Sequence, residues 1–228
     1  MAEALFARKS VGLIGGAVFA SFAAVTTVIT AGIQPPFPIL PFLKFDPAEL
    51  FSVLAFLIFG PVAGLITATV HWIFLTVNAS TPLGPSVKFA AVLSTLLGLW
   101  LGGRLYQRFL GRYHQLSIVM GSMVGLAALS RVAVLLLVNY FVFTYIGPVI
   151  FGIQYLQFSE KTLQLTLGLQ FAGPWEVLMA MLFYTSIYNA LHAAFSVGIP
   201  YFIFTPLSLK VPEIASGHPW ISRFTSRQ

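Results

Sequence analysis

Asn189 and His192 stand three residues apart within a long apolar stretch. On a helix that spacing puts both side chains on one face, where an amide and an imidazole offer hydrogen-bond donors and acceptors without a permanent charge. Such a pair suits a neutral ligand with hydrogen-bonding edges. His71, Arg131 and Asn139 are isolated in apolar runs in the same way. Polar groups in such surroundings either bond to another helix or meet a ligand or transported species.

Signals for catalysis are missing. No G-x-x-x-x-G-K-[ST] loop is present, so the chain does not hydrolyse ATP by a P-loop. There is no H-E-x-x-H, and no pair of carboxylates within the apolar runs, since Glu176 stands alone at a helix start. A rhomboid-type intramembrane serine protease would set a serine against His192. Ser94 lies in Val92-Leu-Ser-Thr-Leu, which lacks the G-x-S-x-G-like context of such a nucleophile. Four scattered histidines and no cysteine argue against a metal site, a disulfide framework or thiol chemistry. The expectation is a protein that is not an enzyme, with no catalytic residue, no metal and no cofactor. Asn78-Ala-Ser80 is a formal glycosylation triplet.

The composition fixes the surroundings of these residues. Of 228 residues, 58% are hydrophobic and 8% charged, with a mean hydropathy of +0.90. A soluble domain carries roughly a quarter charged residues, so twelve Lys/Arg and six Asp/Glu cannot cover a surface in water. Apolar content at this level also excludes disorder. The net charge of +6 is too dispersed for a nucleic-acid footprint. The chain reads as an all-α integral membrane protein of the cell membrane.

A hydrocarbon core of about 30 Å needs about 20 apolar residues in a helix. That ruler predicts a bundle of six transmembrane helices in a single membrane domain, 1–228, with spans at about 10–32, 48–59, 62–77, 86–103, 116–146 and 174–207. The first run is too long for a signal-peptide core and is expected to be retained. The second and third are short and meet at Gly60-Pro61, a strong break. Six spans with an inside N-terminus place Arg8, Lys9, Arg104, Arg108, Arg112, Lys210, Arg223 and Arg227 inside. Only Lys44, Lys88 and Lys161 fall outside. This bias predicts cytoplasmic termini and some affinity for anionic lipid. The outer loops are then about Ile33–Pro47, Asn78–Pro85 and Gly147–Gly173.

The first of those loops holds five prolines with Phe37, Phe42 and Phe45 among them. Fixed φ angles and lost donors make it stiff and extended, suited either to a lid over a pocket or to an interfacial aromatic belt. Gly12, Gly16, Ala20 and Ala24 recur every four residues on the first helix, which lets another helix come close. Packing within the bundle and docking of a separate membrane protein both fit that stripe.

Four segments then carry a family resemblance. They are Phe42-Leu-Lys-Phe-Asp46, Phe59-Gly-Pro-Val-Ala-Gly64, Asn139-Tyr-Phe and Tyr188-Asn189-Ala-Leu-His192. In this order the chain resembles the substrate-binding S component of energy-coupling factor (ECF) transporters, within its riboflavin-binding branch, from the first helix to about Leu207. The resemblance implies a six-helix subunit that captures a vitamin from outside, with riboflavin as transported ligand. It also implies two kinds of partner, a coupling membrane subunit and two cytoplasmic ATPases. Carried over by position, the ligand contacts would be Asn78, Asn139, Asn189 and His192. Phe42, Leu43 and Asp46 would join them from the loop motif. Gly16, Ala20 and Ala24 would dock the coupling subunit. The chain differs at His192 and His71, where the family pattern has Lys. An S component for another vitamin precursor or a modified base is the nearest alternative.

Overall fold

The computed structural model describes residues 2–110, 115–152, 154–210 and 220–221. Arg112, Arg223 and Arg227 lie outside the described residues. The helices are α1 (Ala2–Thr30), α2 (Glu49–Phe59), α3 (Pro61–Asn78), α4 (Leu83–Leu105), α5 (Leu116–Phe141), α6 (Gly147–Phe151), α7 (Gln154–Leu167) and α8 (Pro174–Lys210). One π-helical turn, Tyr106–Leu110, prolongs α4, and another, Val142–Ile146, joins α5 to α6. Among the described residues the only β pairing is an isolated bridge between Pro36 and Lys44. The fold is all-α. Five of its helical segments are long and apolar enough to cross a membrane: 10–30, 61–78, 83–110, 116–151 and 174–204. The chain is thus a multi-pass membrane protein by the length and composition of its helices.

The second expected span is different. With 11 residues, α2 is about 16 Å long, half a hydrocarbon core. Its first residue, Glu49, bonds to Arg131 in the middle of α5, so α2 begins at mid-depth. The Pro-rich segment 33–48 precedes it, with Phe37, Leu40, Asp46 and Ala48 buried. Non-helical backbone is tolerated at such depth where it is buried in protein or lines a cavity. Here Phe37 N–H bonds to Leu43 C=O at 2.7 Å, Phe45 N–H to Pro35 C=O at 3.0 Å, and Tyr188 O–H to Lys44 C=O at 2.6 Å. At the far end Gly60 adopts φ 102°, open to glycine, and Pro61 starts α3.

The expected outer loop Gly147–Gly173 is also corrected. It holds α6 and α7, and Leu163 of α7 is fully buried against α8 residues Val177, Leu178, Met181 and Leu182. With turn residues only at its ends, the segment satisfies its backbone as a helix.

Two apolar clusters build the core. One, around Phe56, Leu99, Met123 and Val197, lies toward the Gly60 end. The other, around Phe37, Leu40, Phe143, Leu163 and Met181, lies toward the Pro-rich segment. Along α5 the first cluster ends at Ala127 and the second begins at Val138; along α8 the second ends at Tyr188 and the first resumes at Val197. The residues between, Arg131, Asn189, His192 and Ser196, form a buried polar layer. Close packing of α4 on α5 rests on Gly98 and Gly102. A Cβ on Gly102 would lie 2.6 Å from Met123 Cα, and one on Gly98 would collide with the Leu126 carbonyl.

The small stripe of α1 works inside this bundle. Gly16 packs on Ala63 and Ile66 of α3, its carbonyl accepts a bond from Thr67 Oγ1 at 3.0 Å, and Ala20 is 1% exposed. Gly12 and Ala24 are only partly covered.

Candidate ligand-binding site

A cavity of about 740 Å³ opens between the Pro-rich segment and α4, α5 and α8, within the roughly 300–1,000 Å³ range of small-molecule pockets. Phe42, Phe143, Phe151, Phe158 and Tyr188 supply aromatic wall, and Leu43, Leu83, Val87 and Leu135 aliphatic wall. Phe151 and Phe158 come from α6 and α7. Asn139, Asn189, Thr185, Arg131, Glu49 and Lys88 supply polar atoms. The arrangement can hold a flat, largely apolar molecule with a few polar edges.

The floor is the polar layer, organised around Arg131, which is 2% exposed. Its Nη1 donates to Glu49 Oε2 at 2.7 Å and to Thr95 Oγ1 at 3.4 Å. Its Nη2 meets Glu49 Oε1 at 3.4 Å and His192 Nδ1 at 3.2 Å, and its Nε donates to Asn189 Oδ1 at 3.2 Å. A guanidinium only donates, so His192 Nδ1 must accept and the ring proton sits on Nε2, which faces Glu49 Oε2 at 3.5 Å. Tyr188 Oη is a further neighbour of Nδ1 at 2.9 Å. Asn189 uses one amide N–H on Thr185 C=O at 2.9 Å. In a low-dielectric interior every one of these bonds matters, because an unpaired member would carry its full desolvation cost.

Sequence expectations map onto this geometry unevenly. Asn139, Asn189, Phe42 and Leu43 line the cavity. Asn139 is 6% exposed, and no protein group pairs with its amide among the described residues. His192 is turned away: both ring nitrogens face the floor network, and it is not part of the cavity wall. Asp46 is buried, accepting from Ala48 N–H at 2.8 Å and paired with Lys88 across the cavity wall. Asn78 is exposed at the end of α3, and its amide donates to Phe74 C=O at 2.7 Å. His71 Nε2 lies 2.8 Å from Thr27 Oγ1, joining α1 to α3 away from the cavity. Ser94, the serine a protease reading would pair with His192, donates to Ala91 C=O at 2.8 Å instead. Among the described residues no cluster of His, Asp or Glu is arranged to hold a metal.

Glu49, Lys88 and Thr185 line the cavity without having been singled out as site residues from the sequence. Lys88 falls at the outer end of the expected fourth span, 86–103, and stands on α4. Thr185 is 2% exposed with an unpartnered hydroxyl. A lone arginine in an apolar run calls for a partner, and Glu49 and Glu176 are the acidic residues at the heads of apolar helices; Glu49 is the one that meets Arg131.

No protein-family model matches the chain, and neither a curated protein nor a solved structure matches it.

Proposed function

We propose that this chain is the substrate-binding membrane subunit of an ECF-type vitamin importer, with riboflavin as its cargo. It catalyses no reaction itself. It captures the vitamin from outside, in the cavity beneath the Pro-rich segment, and delivers it when a coupling membrane subunit bearing two cytoplasmic ATPases engages it. The observation that carries the reading is the cavity itself. It joins an aromatic slot to a charge-compensated floor and an unpaired Asn139 amide, under a loop stitched to α8 and α4. Riboflavin is neutral and flat, with a polar ring edge and a hydroxylated tail, and those features match that inventory. Asn139 and Asn189 read the ring edge in this scheme, and His192 serves by fixing Arg131.

The Pro-rich segment and α2 together make a sixth crossing, beside the five long helices. Arg104 and Arg108 close the end of α4 remote from the cavity, which supports a cavity open to the outside under the positive-inside rule. Docking of a coupling subunit through Gly16 and Ala20 requires α1 to part from α3, whereas Gly12 and Ala24 are more accessible.

The test is the small molecule that accompanies protein purified from its membranes without added ligand. A yellow preparation that releases riboflavin on denaturation, and whose apo form quenches flavin fluorescence at one equivalent, is the expected result. Colourless protein with no quenching at micromolar riboflavin refutes riboflavin as cargo. The replacement of Lys by His at 71 and 192 keeps a different vitamin precursor or modified base as the second reading, separated by a thermal-shift panel.

A further inference from the structure

Three cations stand on the cavity wall, Lys44, Lys88 and Arg131, and they differ in what they have left to offer a ligand. A guanidinium carries five N–H groups. Arg131 directs all of them at Glu49, Asn189, Thr95 and His192, so it builds the floor and keeps no donor for cargo. Lys44 is exposed at the mouth. Lys88 is the intermediate case, with a side chain 24% exposed and an ion pair to Asp46.

Asp46 itself lies behind the cavity wall and is not part of its lining. One of its oxygens accepts from the Ala48 N–H, and the other faces Lys88. An ammonium has three N–H groups; one carboxylate oxygen takes one, which leaves two on the cavity side. The nearby open groups are the unpaired Asn139 amide, the unpartnered Thr185 hydroxyl and the second N–H of Asn189, whose oxygen is held by Arg131. Across these four residues open donors outnumber acceptor groups, of which Asn139 Oδ1 and Thr185 Oγ1 are still available.

We propose that Lys88 contacts the cargo and determines its specificity, donating its free N–H groups to an acceptor-rich edge of carbonyl, ring-nitrogen or carboxylate atoms. The inference rests on the importer reading and narrows its substrate class: the cargo is rich in acceptors and carries no cation at the buried end.

The experiment titrates riboflavin, biotin and pantothenate, as acceptor-rich probes, and thiamine, as a cationic one, into full-length protein, using fluorescence quenching and thermal shift. Lys88→Met, Asp46→Asn and the double variant are compared with the unmodified chain. An acceptor-rich probe should bind, and Lys88→Met should weaken it by about 10- to 100-fold, as for a lost hydrogen bond from a charged donor. Asp46→Asn, which removes the ion-pair partner but keeps the ammonium, should lose less than Lys88→Met, and the double variant should match Lys88→Met. If the double variant regains full affinity, the loss came from an orphaned carboxylate, and the proposal fails. It fails equally if Asp46→Asn loses as much as Lys88→Met, or if thiamine alone binds. Biotin or pantothenate binding in place of riboflavin, with the same dependence on Lys88, overturns riboflavin as cargo while the role of Lys88 stands. Binding of no acceptor-rich probe overturns both.

Discussion

Replacing Arg131 with methionine removes a cation that is 2% exposed and leaves Glu49, also 2% exposed, with a buried carboxylate. The bonds at 2.7 and 3.4 Å from Arg131 disappear, and Glu49 keeps only Ser196 Oγ and His192 Nε2, each at 3.5 Å. Asn189 Oδ1 and His192 Nδ1 lose their donor in the same step. Breaking a buried pair in this way costs about 3–5 kcal/mol. For a chain of this size each kcal/mol shifts the melting temperature by about 2–4 °C, so Arg131→Met should lower it by about 6–20 °C. Arg131→Met combined with Glu49→Leu removes the orphaned charge and refills the volume with apolar atoms. It should therefore recover much of that loss, because a buried ion pair is worth little more than a well-packed apolar replacement. The assay is thermal unfolding of detergent-purified protein, followed by intrinsic fluorescence and by the monodisperse fraction on size exclusion. An Arg131→Met protein within about 2 °C of the unmodified one would refute the reasoning, since the pair would then not be the structural centre of the floor. A double variant that loses the sum of both single effects would refute it as well, because coupled neighbours must depart from additivity.

Other substitutions separate cargo contacts from structural ones. Asn139→Ala should weaken riboflavin binding by about 1–3 kcal/mol, read by fluorescence titration, with an almost unchanged melting temperature, because its amide has no protein partner to orphan. Asn189→Ala should lower both affinity and thermal stability, since it also strips Arg131 of its Nε acceptor. Gly98→Leu should prevent accumulation of folded protein, measured as the monodisperse yield, because any Cβ there meets the α5 backbone. Gly16→Leu should lower the melting temperature of the isolated chain by prising α1 from Ala63 and Ile66 of α3; an unchanged temperature with lost assembly would make the stripe a docking face.

Much of the helical architecture is legible in the sequence because a membrane span is a simple signal: about 20 apolar residues, then polar punctuation. The segments at 10–32, 86–103 and 174–207 follow that rule and are helices in the structure. The second expected span, 48–59, is a helix of 11 residues, too short to cross by itself. Prolines at 35, 36, 38, 41 and 47 read as a surface loop, and only the depth of Glu49 against Arg131 places the segment inside the bundle. The helix at Gln154–Leu167 hides for another reason: Glu160, Lys161 and several glutamines make it too polar for a span, yet its Leu163 face is buried. At the site, Asn139 and Asn189, isolated amides in apolar runs, both line the cavity. They gave no way to tell a residue that faces the cavity from one that faces its neighbours. His192 shares a helix face with Asn189, as its spacing requires, but the arginine opposite captures its Nδ1, and no spacing rule reports that.

Arg131 and Glu49 also change what the scarcity of charge says about cargo. Few charges in the chain do not mean few at the cavity, since Glu49, Lys88 and Arg131 lie on its wall with Asp46 just behind. Glu49 and Asp46 balance Arg131 and Lys88, which leaves the exposed Lys44 at the mouth, so the inner end of the cavity suits an acceptor-rich ligand by balance of charge and not by its absence. The pairs are also not equivalent. Arg131 and Glu49 are both sealed, and parting them would expose two charges to a low-dielectric interior. Lys88 is a quarter exposed, and a ligand acceptor can replace part of what Asp46 gives it. Of the two pairs, the one on the Pro-rich segment is therefore the one that can exchange partners at modest cost. Under the importer reading, a motion that admits or releases cargo is therefore expected on the loop side of the cavity and not at the floor.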